Sequence, residues 1–301
     1  MLTRKRQRWA YLYILPFFAS FLAFSVYPIF YSFYLSFTEY DPLSLATRWV
    51  GAANYIRMFT SRYFWDSVGH TLVIWLFSII PQLTIAMLLS LILNERWVKG
   101  KTALRSIYYF PNLVTPITIG LLFNMLFSYP GGTINNILTA LHLFPHPVEF
   151  KNAPVLAMLV GGIAICWQYF GYNIIFISAG LNAINQDVYE AAEMDGANAW
   201  QRTAHITLPL IRPIMIYVMV TSVIGGLQIF DIPKMLFRDG VANSTRTMVL
   251  YMYESAFERW QFGFGAALAY GIFLVIAVFS ALSLFVTTRI GSKNAKEGKT
   301  A

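Results

Sequence analysis

Six runs without a single Asp, Glu, Lys or Arg constrain this chain more than any other feature: Trp9–Thr38, Thr71–Asn94, Ser106–Val148, Asn152–Gln186, Pro213–Phe230 and Trp260–Thr288. A helix needs about 20 apolar residues to cross ~30 Å of hydrocarbon, and runs of this kind meet that length. The third run is cut by Tyr129-Pro130-Gly131-Gly132 and by Pro145-His146-Pro147. The predicted spans are residues 10–37, 70–94, 104–128, 154–181, 209–234 and 264–288, with an irregular outer segment after the third. Strands of a membrane barrel would instead alternate over about ten residues. The fold class expected is an all-α integral membrane protein with six transmembrane helices.

Charge agrees with that reading. Only 12% of the 301 residues are charged, against about 25% in a soluble domain whose surface faces water. The basic start, Arg4-Lys5-Arg6-Gln7-Arg8, looks like the front of a signal peptide. The apolar stretch behind it is about twice the length of a signal's apolar region and lacks a small-residue cleavage site, so it is expected to remain as an anchor. Lysines and arginines in the loops then set the orientation. Fourteen fall on the side of the two termini, the 95–105 loop and the 182–212 loop; eight fall on the other side. Both termini are therefore expected in the cytoplasm of a multi-pass protein of the bacterial plasma (inner) membrane. The net charge of +8 is read as a topology signal, with membrane lipid and not nucleic acid as the partner.

Chemistry-bearing residues are sparse. Cys166 is the one cysteine and lies within a span, and the four histidines (His70, His142, His146, His205) show no metal-ligand spacing. No glycine loop for a nucleotide is present, so the chain is read as neither an enzyme nor a metal protein. Any ATP and Mg would be held by another subunit.

The most informative segment is 185–209, between the fourth and fifth spans. Asp187 followed by Glu190 resembles a capping box. A first short helix is expected to stop at Asp195-Gly196, where glycine permits a left-handed turn. Asn198 with Gln201 forms a second cap, and Pro209 is placed at the start of the fifth span. By local chemistry alone this is either an interfacial linker or a docking element.

The identities and spacing are more specific. Glu190-Ala191-Ala192, Gly196 and Ile206-x-Leu208-Pro209 resemble the signature loop of binding-protein-dependent ABC importer permeases, over residues 66–289. Tyr27-Pro28-Ile29, Gly51 with Asn54-Tyr55, His70-Thr71-Leu72 and Gly132-Thr133-Ile134-Asn135 are similar to the carbohydrate-type (maltose and glycerol-phosphate) class, in its first-permease branch. The chain departs from the maltose-type member in having six spans rather than eight and only a short outer segment. A contact with a binding protein through a large outer domain therefore does not carry over. The resemblance implies a type I importer permease fold and three parts. Residues 1–65 form the amino-terminal tail, first helix and outer loop; residues 66–289 form the transport domain with its coupling loop 185–209; residues 290–301 form a cytoplasmic tail.

It also implies partners and sites. The partners are a homologous second permease, a homodimeric or heterodimeric ATPase, and an extracellular or periplasmic sugar-binding protein. The ATPase would dock on Glu190, Ala191, Ala192, Asp195 and Gly196. Substrate-pathway candidates are Gln168, Tyr169, Tyr172 and Asn173 in span four, and Ser222, Gly225, Gly226, Gln228 and Asp231 in span five. Aromatic faces and amides suit a neutral saccharide. Each also has a plain reading: the tyrosines as packing or interfacial residues, the amides as interhelical bonds, the glycines as close helix contact, and Asp231 as a solvated cap. The function expected is ATP-driven import of a sugar, with an oligosaccharide preferred. The alternative is an ion-coupled secondary transporter of small polar solutes, which would need coupling-ion residues at mid-depth.

Overall fold

In the computed structural model the described residues are 4–41, 46–95, 97–237 and 245–297. Arg96, Arg238, Asn243 and Lys299 lie outside them. The elements in chain order are α1 (Arg4–Phe21), α2 (Tyr27–Ser36), a hairpin of β1 (Thr38–Asp41) and β2 (Ala46–Trp49), α3 (Ala53–Thr60), α4 (Arg62–Asn94), α5 (Lys101–Leu113), α6 (Pro116–Leu126) and α7 (Thr133–Ala140). They continue with α8 (Pro154–Asn182), α9 (Gln186–Met194), α10 (Ala199–Arg202), α11 (Leu208–Leu210), α12 (Arg212–Leu227), α13 (Asp231–Leu236), α14 (Met248–Tyr253) and α15 (Phe262–Glu297). Wide π-type turns at 22–26 and 203–207 keep the helix running between their neighbours, and a third at 254–258 extends α14 to its end before Arg259. The first lies just before Pro28, which cannot donate to the preceding turn.

Four stretches are single helices long and apolar enough to cross a membrane: Leu12–Ser36, Arg62–Asn94, Pro154–Asn182 and Phe262–Thr287. Two more spans are broken, so the total reaches six when each bent pair is one span. Here the structure breaks two of the predicted spans into bent pairs of helices. The third span bends by 88° between α5 and α6, and the fifth by 66° between residues 199–210 and 212–227. The first break has a local cause. Thr115 is extended, caps the amide of Thr118 and precedes Pro116 at the first helical position of α6, the chemistry of a fresh helix start. The fifth span likewise restarts at Arg212-Pro213, so Pro209 lies before the bend and not at the head of the span. It ends at Leu227, short of the expected 234. The outer segment after the third span is not wholly irregular, since it carries α7.

The contacts divide the chain into two compact units, residues 1–64 with 251–274, and residues 65–250 with 275–301. In the first, Asn54 donates its side-chain amide to the carbonyls of Ser36 (3.0 Å) and Thr38 (2.9 Å). Tyr55 shares a 2.7 Å hydroxyl bond with Ser36. These two residues tie α3 to the end of α2, where backbone groups would otherwise go unmatched.

In the second unit α8 is the central helix. Gly162, Gly171 and Gly180 recur every nine residues, half a turn out of phase at 100° per residue. A side chain on Gly162 would reach Phe77 of α4 at 2.5 Å, and one on Gly180 would reach Ile214 of α12 at 3.0 Å. On the opposite face, a side chain at Gly171 would fall on the backbone carbonyl of Tyr108 in α5. Small residues let membrane helices approach closely where no hydrophobic driving force separates them from lipid. Two polar clamps close the unit. Asn135, 1% exposed, bonds to Ser128 and to both backbone groups of Val148. Thr71, fully buried, accepts from the amide of Met248 at 2.9 Å. Asn54-Tyr55, Thr71 and Asn135, singled out as family-like motifs, thus hold backbone in place.

Candidate functional site

Residues 185–209 fold into two short helices with a sharp turn between them. Asn185, rather than Asp187, caps the first: its side chain accepts from the Asp187 amide at 3.1 Å, while Asp187 sits inside the first turn. An asparagine or aspartate serves equally well as a cap, and the residue that adopts the extended backbone takes the role. The helix closes with both bonds of a Schellman motif, from Gly196 to the Glu193 carbonyl (3.0 Å) and from Ala197 to the Ala192 carbonyl (2.9 Å). That closure requires Gly196 at φ +82°. The second helix opens with a complete capping box between Asn198 and Gln201. The two arms are held to each other by a Glu193–Arg202 ion pair and by a 2.9 Å bond between the hydroxyls of Tyr189 and Thr207. Glu190, Ala191, Asp195 and Gly196 are exposed, and Ala192 is buried. The exposed face also presents Met194 (89% exposed) and Trp200 (76%), an apolar surface that reasoning from the sequence did not single out.

The second place is a cavity of about 350 Å³ within the 65–250 unit. Tyr169, Tyr172, Asn173, Ser222, Gly225 and Gly226 all line it, so six of the nine pathway candidates converge. Gln168, Gln228 and Asp231 do not. They line a smaller cavity of about 90 Å³ that shares Tyr169 and Gly225 with the first. Gln168 is 2% exposed and donates to the Val114 carbonyl at 3.4 Å, which places it at the α5–α6 bend. Gln228 lies just past the end of α12, and Asp231 occupies the first turn of α13, a position where a carboxylate favours the helix dipole.

The larger cavity is walled by aromatic, neutral polar and isoleucine side chains, with no Asp, Glu, Lys or Arg among its lining residues. Asn173 is 1% exposed, and its Nδ2 has no hydrogen-bond partner among the described residues. A buried amide donor left open in this way is costly unless something else accepts from it. Trp75, Ser78 and Gln82 of α4, Asn112 of α5 and Thr221 of α12 also line it and were missed in the sequence. The signal was present: Ser78 and Gln82 are polar residues one turn apart inside an apolar span, and their side chains bond to each other at 3.1 Å.

The family model described as "Binding-protein-dependent transport system inner membrane component" matches residues 1–293. Among curated relatives, the lactose transport system permease protein LacF of Rhizobium radiobacter is 32% identical over 279 residues, covering 91% of this chain and 92% of that one. The arabinooligosaccharides transport system permease protein AraP of Bacillus subtilis (strain 168) is 32% identical over 276 residues, covering 91% and 87%. A solved structure of a bacterial ABC transporter involved in the import of the acidic polysaccharide alginate superposes with a TM-score of 0.83 at 25% identity, covering 95% of this chain and 97% of that one.

Proposed function

The chain belongs to the inner membrane components of binding-protein-dependent transport systems, and on that premise we propose that it is a permease subunit of an ATP-driven sugar importer. As a transport subunit it spans the membrane several times. The observation that carries the reading is the cavity: aromatic faces, amides and hydroxyls, and no ionic side chain, fit the apolar ring faces and hydroxyls of a neutral oligosaccharide. The relatives named for lactose and arabinooligosaccharide transport support the same class.

In this reading a homologous second permease completes the pathway, and an extracellular or periplasmic binding protein delivers the sugar. The 185–209 hairpin faces the cytoplasm, as do both termini. It docks on a separate ATPase pair, which binds ATP and Mg, through the exposed residues around Glu190, Asp195 and Gly196. Closure of that pair moves the hairpin as a rigid body and switches the spans between inward and outward access. The Schellman bend and the Glu193–Arg202 pair suit this role, since a coupling element must transmit motion without folding on itself.

A cysteine at Met194, in a chain whose native Cys166 is buried, tests both orientation and docking. An impermeant maleimide is expected to reach it only from the cytoplasmic face, and to lose access when the ATPase is bound. Labelling from outside, or labelling indifferent to the ATPase, would overturn the assignment.

A further inference from the structure

We propose that Trp75 is a specificity-determining residue, an aromatic wall whose fixed ring face selects among sugars; this rests on the cavity being a sugar pathway. Three observations carry it. Trp75 stands on α4 and lines the cavity opposite no charged group. Its indole Nε1–H donates to the carbonyl of Ser222 on α12 at 3.1 Å. The pyrrole edge of the ring lies over Gly226, where an added side chain would collide with it.

The first consequence concerns chemistry. Indole has a single donor and no acceptor, and that donor is already committed to the Ser222 carbonyl. Towards a substrate Trp75 therefore offers a π face and no hydrogen bond. Such a face packs well against the side of a pyranose that shows only C–H groups, and badly against a side interrupted by an axial hydroxyl. Selection by Trp75 is thus selection by ring face, whereas Asn173 reads hydroxyls.

The second consequence concerns position. A platform is useful only if it does not swing away, and the ring here is pinned at its nitrogen and seated at its edge. Gly226 is the seat. Gly225 beside it is different, because a side chain there would meet nothing within 4 Å. Of the two adjacent glycines, only Gly226 is required for the indole to stay where it is. This explains Gly226 near the end of α12 without invoking flexibility.

The test is uptake of lactose, cellobiose, maltose and raffinose into vesicles holding the complete transporter, at saturating binding protein. Lactose and cellobiose share their linkage and differ only in the orientation of one hydroxyl. The readout is the ratio of rates between the best- and next-best-imported sugars. Trp75→Leu and Gly226→Ala should each change that ratio by about three- to tenfold and in the same direction. Trp75→Phe keeps a ring face but loses the bond to Ser222 that pins it, and should shift the ratio in the same direction as Trp75→Leu by a smaller factor. Gly69→Ala, on α4 and away from the cavity lining, should leave the ratio where it was. If Trp75→Leu, Gly226→Ala and Trp75→Phe all slow every sugar by one common factor, Trp75 only packs α4 against α12 and the proposal fails. If Trp75→Leu does not assemble, Gly226→Ala and Trp75→Phe still decide the matter. Failure of the parent transporter to import any of the four sugars overturns the sugar reading, and this proposal with it.

Discussion

Gly171→Ala is expected to cost the protein its native fold or most of its stability. The new methyl group would land on the backbone carbonyl of Tyr108, where α5 crosses α8. Overpacking a core typically costs about 1–3 kcal/mol because side chains can turn aside. A carbonyl in a helix cannot do so without breaking its ladder, and the cost here is expected at ~3 kcal/mol or above. Thermal unfolding of the purified protein in detergent is the measurement, together with recovery from membranes. The comparison is Gly69→Ala, on α4, where a side chain would meet nothing within 4 Å. Alanine there is expected to stabilise by about 0.5–1 kcal/mol, the ordinary gain of alanine over glycine in a helix. Equal behaviour of the two variants would show that the α5–α8 approach is not as close as described.

Gly196→Pro is expected to disconnect sugar transport from ATP hydrolysis. The residue lies at φ +82°, and its amide donates to the Glu193 carbonyl. Proline fixes φ near −65° and has no amide proton. Both features of the bend are lost together, at a cost of about 3 kcal/mol or more. That reduces the fraction of hairpins in docking geometry by more than about a hundredfold. Gly196→Ala loses less, because open space surrounds the position and only the left-handed strain of about 1–2 kcal/mol remains. Uptake and sugar-stimulated ATPase activity should therefore fall in the order Gly, Ala, Pro, by the same factor for every sugar. Asn173→Ala should behave differently. It removes from the cavity wall a buried amide whose hydrogen bond to a sugar hydroxyl would be worth about 1 kcal/mol, and it should change preference among sugars while ATPase docking persists. The opposite pattern would mean that hairpin and cavity have been given each other's roles.

How much of this was legible in the sequence depends on which physical signal each feature leaves. Length and absence of charge sufficed to find the spans, since each long helix overlaps a run read as apolar, although α4 begins at Arg62, ahead of the expected start at residue 70. The turn at Gly196 and the Asn198–Gln201 box were legible because both depend on residues adjacent in sequence. The bends were not anticipated, although Thr115-Pro116 and Arg212-Pro213 carry the chemistry of helix starts. A hydropathy run has no memory of direction, so an 88° break leaves it unchanged. The hairpin between Thr38 and Trp49 has strands of four residues each, too short for alternation to stand out. Trp75 was missed for another reason. A cavity wall is a property of four helices at once, and polar faces were read only on spans four and five. Gly226 was marked either as a close-contact residue or as a pocket residue. It both lies against the Trp75 ring and lines the cavity.

The central claim is that ATP hydrolysis on partner subunits drives a sugar through this chain. Vesicles reconstituted with the chain, its homologous permease, the ATPase pair and the binding protein provide the direct measurement, using radiolabelled lactose and raffinose as probes. The account predicts accumulation that requires ATP on the ATPase side and persists after ionophores have collapsed the proton and sodium gradients. Accumulation that proceeds without the ATPase and vanishes with the ion gradients would contradict it, and would identify an ion-coupled secondary transporter instead.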